Sequence, residues 1–345
     1  MTTAALVVAS APFAAAQTDD PVAVVASIKP IHSLVAGVMG DLGVPGLIVQ
    51  GGGSPHSYSM RPSDASALEQ ARVVFWVGEG LETFLAGTLE ALARDAAIIE
   101  LGEAPGVQLL APRSGATWEA HVHDEDHGHE DHGHDDDHTH DDDHGHDDHG
   151  HDDHGHDDHG HDDDHGHGHA HGSGAYDAHI WLDPANAQAM VESIVAALSA
   201  ADPAHAATYA DNGAATIARI DALSEEMAEM LSPVQDQPFI VFHDAYQYLE
   251  RSFALNAAGA ITVSPDIQPG AARLQELRDR IETLGAVCVF SEPQFESALV
   301  ATVIEGTEAR TAVLDPLGAD LADGPDLYFA LMRRNAEALR DCLAG

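Results

Sequence analysis

Basic side chains are scarce in this sequence: 14 Lys and Arg stand against 58 Asp and Glu, a formal net charge of −44. Nucleic acids need the opposite sign, so they are not expected as partners; such a surface attracts cations instead. Long apolar runs are also missing. None after the N-terminus reaches the roughly 20 residues of a membrane span, so the mature chain should be soluble and not itself membrane-spanning. Cysteine is nearly absent, with only Cys288 in "AVCVF" and Cys342 in "ALRDCLAG". In a cytosolic protein these would be two unrelated buried thiols, whereas in an exported one they are the natural count for one bridge. Such a bridge would close some 55 residues and contribute roughly 4 kcal/mol. Finally, there is no H-E-x-x-H motif. No enzyme is expected, and a zinc hydrolase is the weaker reading. Glu292 and Asp244 are the general bases it would need, and both have plain structural roles at the ends of elements.

The N-terminus "MTTAALVVASAPFAAAQTDD" is small and apolar and carries Ala14-Ala15-Ala16, an A-x-A pattern, before Gln17. Residues 1–20 therefore read as a secretory signal peptide, although no Lys or Arg precedes Lys29 to supply its basic start. No cysteine follows the apolar run, so a lipid anchor on cysteine is not expected.

What the chain has in excess is histidine beside aspartate. From His121 to His171 there are 20 His, 20 Asp and Glu, and no Lys or Arg. The densest part repeats "HGHDD" through His144, His146, His149, His151, His154, His156, His159 and His161. It has no apolar face and carries repeated glycine, so it is expected to form a disordered loop rather than a core. Imidazole beside carboxylate makes many weak, transient metal sites, competent near pH 7 and lost as the rings protonate below about pH 6.5. The loop reads as a low-affinity zinc collector or sensor.

On either side of this loop, uninterrupted apolar runs alternate with helical patterns. "VAVVASI", "VPGLIV", "RVVFWV" and "AAIIEL" precede it, and "FIVF", "AAGAITV", "AVCVFS" and "TAVL" follow. This alternation predicts an α/β fold of two lobes, each a roughly four-stranded parallel sheet flanked by helices. The first lobe is expected over 21–200 with the loop at 121–171, and the second over 234–345. Between them, residues 201–233 contain Ile217, Ile220, Leu223, Met227 and Met230 at helical spacing. They predict one long linker helix, a stiff hinge that lets the lobes tilt little.

Five histidines lie outside the loop. His32 reads as part of a helix start and His205 as part of the linker. The other three sit in "SPHSYSM" (His56), "HIWLDP" (His179) and "FIVFHDAY" (His243). Ligands of open parallel sheets bind beyond the carboxyl ends of strands, where His56, His243 and Asp315 in "VLDPLG" fall. Three imidazoles suit Zn²⁺, with water or a carboxylate in the fourth position. Imidazole also suits Cu²⁺ and Ni²⁺.

With "SPHSYSMRPSDASAL", "VFWVGEGLE", "HIWLDP", "FIVFHDAYQYLE", "CVFSEPQF" and "VLDPLG" in order along nearly the whole chain, the sequence resembles the zinc-binding components of bacterial ABC importers. These are the ZnuA type of metal-binding proteins with a rigid linker helix. The resemblance implies that His56, His179 and His243 ligate zinc and that Cys288 and Cys342 are bridged. It also implies a periplasmic monomer that hands Zn²⁺, its transported ligand, to an inner-membrane permease with its ATPase. Some zinc members carry an acidic residue just before the first histidine, where this chain has Pro55. That leaves Asp315 or a water for the fourth position. A stand-alone exported zinc buffer or metallochaperone is the alternative reading.

Overall fold

The apolar runs before the His-rich loop become four parallel strands: β1 (Val24–Ala26), β2 (Gly46–Leu47), β3 (Val73–Trp76) and β4 (Ala97–Glu100). Those after it become β5 (Pro238–His243), β6 (Asn256–Thr262), β7 (Cys288–Ser291) and β8 (Arg310–Val313). These elements come from a computed structural model of the chain, which describes residues 21–113, 118, 176–262, 270–285, 287–295 and 298–345. The expected signal peptide and the His/Asp-rich loop lie outside the described residues, as does Pro269, expected to open a helix.

The two sheets share one topology. Their orders are β2-β1-β3-β4 and β6-β5-β7-β8, parallel throughout. In each, the chain leaves the first-formed strand to one side and then crosses back to the other. The connections leaving the two hydrogen-bonded strands in the middle of each sheet therefore part to opposite sides, and a crevice opens at those strands' carboxyl ends. Helices α1 (Lys29–Met39), α2 (Pro62–Gln70) and α3 (Thr83–Leu92) serve the first sheet. Helices α6 (Gln247–Phe253), α7 (Ala271–Leu284) and α8 (Ala298–Ile304) alternate with the strands of the second. Between them run α4 (Pro184–Ala201) and α5 (Ala206–Leu231), and α9 (Leu327–Ala344) ends the chain. Asp183 caps α4, its carboxylate accepting from the Ala185 N–H at 2.8 Å, with Pro184 in the first turn.

The linker helix is slightly shorter than the periodicity predicts. Pro203 and Pro233 each place a single 3₁₀ turn beside it, leaving 26 residues of α-helix in α5. At 1.5 Å per residue that still spans about 39 Å. Tyr209, Gly213, Thr216, Ile220, Leu223, Met227 and Leu231 form its buried stripe. It packs on α1, α4 and α9. At Gly213 the approach of α4 admits no side chain, since a Cβ there would lie 2.3 Å from Val195 Cγ2.

The lobes are not separately cored. One buried cluster runs from Val25 in the first sheet through Leu223 of α5 to Phe290 in the second, with a smaller cluster around Ile240 and Leu277. On one side Lys29 reaches from α1 to the second lobe, its ammonium donating to Leu321 O at 2.7 Å and pairing with Asp323 at 3.3 Å. Cys288 on β7 is bridged to Cys342 on α9, which staples the last helix to its sheet.

Candidate metal centre

His243 is the last residue of β5, and Glu292 follows the last residue of β7. These are the two middle strands of the second sheet, so the pair sits at its crevice. His243 Nδ1 donates to Glu292 Oε1 at 2.7 Å, and the His243 backbone N–H donates to the same oxygen at 3.2 Å. A carboxylate can only accept, so Nδ1 carries the proton and Nε2 presents its lone pair. His243 is buried. Burial alone would lower its pKa, but Glu292, helped by Asp244 and Asp177, outweighs it and holds the ring above its ordinary value.

His179 is fixed by the same device. Its Nδ1 donates to Asp177 Oδ1 at 2.8 Å, and its backbone N–H to that oxygen at 3.0 Å. Asp177 is in turn held by α6, whose Tyr248 hydroxyl donates to Asp177 O at 2.7 Å. The turn behind His179 is anchored across the cleft. Trp181 Nε1 donates to Pro316 O at 2.8 Å, and the Tyr328 hydroxyl to Trp181 O at 3.0 Å.

His56 is held differently. It rides on the loop from β2 to α2, which turns at Gly51 with φ +61°. Asp64 in the first turn of α2 gathers this loop, accepting from the Arg61 N–H at 2.9 Å and from the Tyr58 hydroxyl at 2.8 Å. Among the described residues no carboxylate backs the His56 ring. Burial, with His179 and His243 close by, pushes its pKa down to about 2, so the imidazole stays neutral.

The three rings converge. Their centroids are 5.2–5.9 Å apart, and one nitrogen from each lies within 4.8 Å of the others. His179 Nε2 and His243 Nε2 face one another at 3.3 Å. Zinc bonds of about 2.0–2.1 Å put tetrahedral neighbours about 3.3–3.4 Å apart, so this pair already has the spacing of two zinc ligands. Two lone pairs at that distance repel unless a cation lies between them. The backing carboxylates are the outer partners that orient metal-binding histidines.

Asp315 does not join this group. Its Oδ1 accepts from the Leu317 N–H and from Gln294 Nε2 at 3.0 and 2.8 Å, and its Oδ2 from the Ala319 N–H at 2.6 Å. Its position after β8 suggested a ligand, but its oxygens are committed to the loop that follows. His32 sits apart in α1, its Nε2 on Pro45 O, and His205 pairs with Asp202 beside α5. Sequence reasoning passed over Asp177 and treated Glu292 as a strand-end residue. The available signal was a carboxylate two residues before one histidine, and another just beyond the strand beside the other.

The chain matches the family described as ZnuA, zinc-uptake complex component A, periplasmic, over residues 24–342. It is 55% identical over 321 residues to the high-affinity zinc uptake system protein ZnuA of Brucella suis biovar 1, covering 93% of this chain and 91% of that protein. To the protein of the same name from Paracoccus denitrificans it is 44% identical over 321 residues, with the same coverage. The fold is similar to that of the Streptococcus pneumoniae AdcAII protein, with a TM-score of 0.69 at 22% identity, covering 94% of this chain and all of that one (100%). With the match running from the first strand into the last helix, the chain belongs to the ZnuA family of periplasmic zinc-uptake components.

Proposed function

We propose that this protein captures Zn²⁺ between its two lobes on His56, His179 and His243, as an extracytoplasmic solute-binding protein. It then delivers the ion to an ABC permease and its ATPase in the inner membrane. The observation that carries this reading is the facing of the two Nε2 atoms at 3.3 Å, each ring oriented from behind by a carboxylate, with His56 completing the set. The zinc-uptake names of the relatives support the cargo and the importer. Among the described residues no helix is long and apolar enough to cross a membrane. The protein is exported by its N-terminal segment and works as a monomer. The ion is cargo, not a catalytic centre: Asp177 and Glu292 bond the histidine nitrogens turned away from it. The loop at 121–171 collects zinc weakly.

Competitive zinc titration tests the reading, with and without residues 121–171 and each with His56→Ala. One tight equivalent that survives loop deletion and disappears with His56→Ala is expected. Tight binding that leaves with the loop and ignores His56 would make the protein a zinc buffer on an α/β frame.

A further inference from the structure

Three imidazoles leave one corner of a tetrahedron open, and the lining of the cavity narrows what can fill it. Pro55, Phe295 and Leu317 offer no side-chain donor atom. Trp181 donates only, and it is engaged with Pro316 O. Ser54 Oγ accepts from the His56 N–H at 3.3 Å. Glu292 gives Oε1 to the far nitrogen of His243; its Oε2 is also buried without a partner, but among the described residues no Asp or Glu oxygen joins the three-histidine group.

Gln294 remains, and its amide is aimed. Asp315 Oδ1 can only accept, so it takes the Gln294 Nε2–H at 2.8 Å and turns the carbonyl oxygen the other way. That oxygen, Gln294 Oε1, is buried and has no hydrogen-bond partner, a costly state for an amide unless something binds it. Gln294 lines the same cavity as the three histidines. The free space there is about 10 Å³, roughly what one water-sized body needs. An unpartnered amide oxygen on that wall competes with water for the fourth position.

Resting on the zinc-site reading above, we propose that Gln294 Oε1 is the fourth ligand, a neutral amide oxygen held in place by Asp315. Asp315 is then a positioning residue rather than a ligand. The site carries three imidazoles and a carbonyl, with no anionic donor bonded directly to the metal.

Full-length protein loaded with Co²⁺, whose visible absorption reports ligand type and number, tests this, with Zn²⁺ affinity measured in parallel. Gln294→Leu removes the oxygen, and Gln294→Asn withdraws it by one methylene. Both should shift the cobalt bands and weaken zinc about ten- to a hundredfold, the range seen when metal-site partners are removed. Phe295→Leu, on the same wall, should leave the bands in place. Cobalt spectra unchanged in both Gln294 variants would overturn the proposal, whatever happens to affinity. If wild-type bands ignore His56→Ala, the three-histidine reading itself fails. Bands lost with His56→Ala yet indifferent to Gln294 sink only the present inference.

Discussion

The two sheets have the same strand order, yet their crevices are used in opposite ways. In the second sheet the two middle strands, β5 and β7, end in His243 and Glu292, and the pair points a lone pair into the cleft. In the first, β1 and β3 are the equivalent strands, but the residues there are Ser27 and Glu82. Glu82 is fully buried, accepting from the Ser27 hydroxyl and from the Val77 and Gly78 N–H groups at 3.2 and 3.0 Å. One crevice presents a histidine lone pair and the other is plugged by its own carboxylate. The first lobe therefore supplies His56 from beyond the neighbouring edge strand, on a glycine-bearing loop without a carboxylate behind the ring, and His179 from the turn before α4. Identical topology makes a site available; the side chains at the strand ends decide whether it is open.

The largest asymmetry to break is covalent. The only disulfide among the described residues lies in the second lobe, its ends separated by 54 positions in sequence. Its loss in Cys288→Ala/Cys342→Ala should cost about 4 kcal/mol, read as a lower urea midpoint of the metal-free protein.

Next comes the plugged crevice. Burial raises the Glu82 pKa from 4.5 to about 7 against the opposing hydrogen bonds from Ser27, Gly78 and Val77. Between those values the folded state holds a proton that the unfolded chain releases. Stability from this group is thus complete below pH 4.5 and lost as pH rises through 7, roughly 3 kcal/mol in all. Urea unfolding of metal-free wild type against Glu82→Gln at pH 4.5 and pH 8 measures it. An equal difference at both pH values would remove the distinction between the crevices.

On the open side, His243→Ala should weaken zinc by two orders of magnitude or more, taking one ligand of four as roughly 3 kcal/mol of a zinc site. Glu292→Gln leaves the ligand but loosens its aim, for about a ten- to hundredfold loss. Ser27→Ala, the counterpart in the plugged crevice, should leave zinc affinity unchanged. A final contrast is in titration: by histidine NMR on metal-free protein, the His56 ring should stay neutral from pH 8 to pH 4. Its folded pKa is about 2, whereas that of His243 is raised. Over the range between about 2 and the ordinary value of 6.5 the unfolded chain binds the proton that folded His56 refuses, so this histidine costs stability on acidification and nothing above 6.5.

Much of the architecture is local and was therefore legible. Uninterrupted apolar runs such as "FIVF" and "RVVFWV" can only be strands covered on both faces, and the Ile220, Leu223, Met227 spacing can only be a helix with one buried stripe. Prolines 203 and 233 trimmed that helix by a turn at each end, because proline withholds the N–H a continuing helix needs. The expectation of His56, His243 and Asp315 at strand ends followed from the same alternation. Their meeting did not. His179 and His243 are 64 residues apart, and what brings their nitrogens to 3.3 Å is the shared core between the lobes.

The sequence by itself determined the alternation of elements, the long linker helix and the residue types able to hold a soft divalent ion, because each rests on spacing along the chain. Only the tertiary structure decided how each carboxylate is used. Asp177 and Glu292 stand behind histidines, Asp315 is consumed by backbone N–H groups and an amide, and Glu82 seals a crevice. The physical reason is that a carboxylate's role depends on which donors surround it once water has been removed, and those donors arrive from elements distant in sequence.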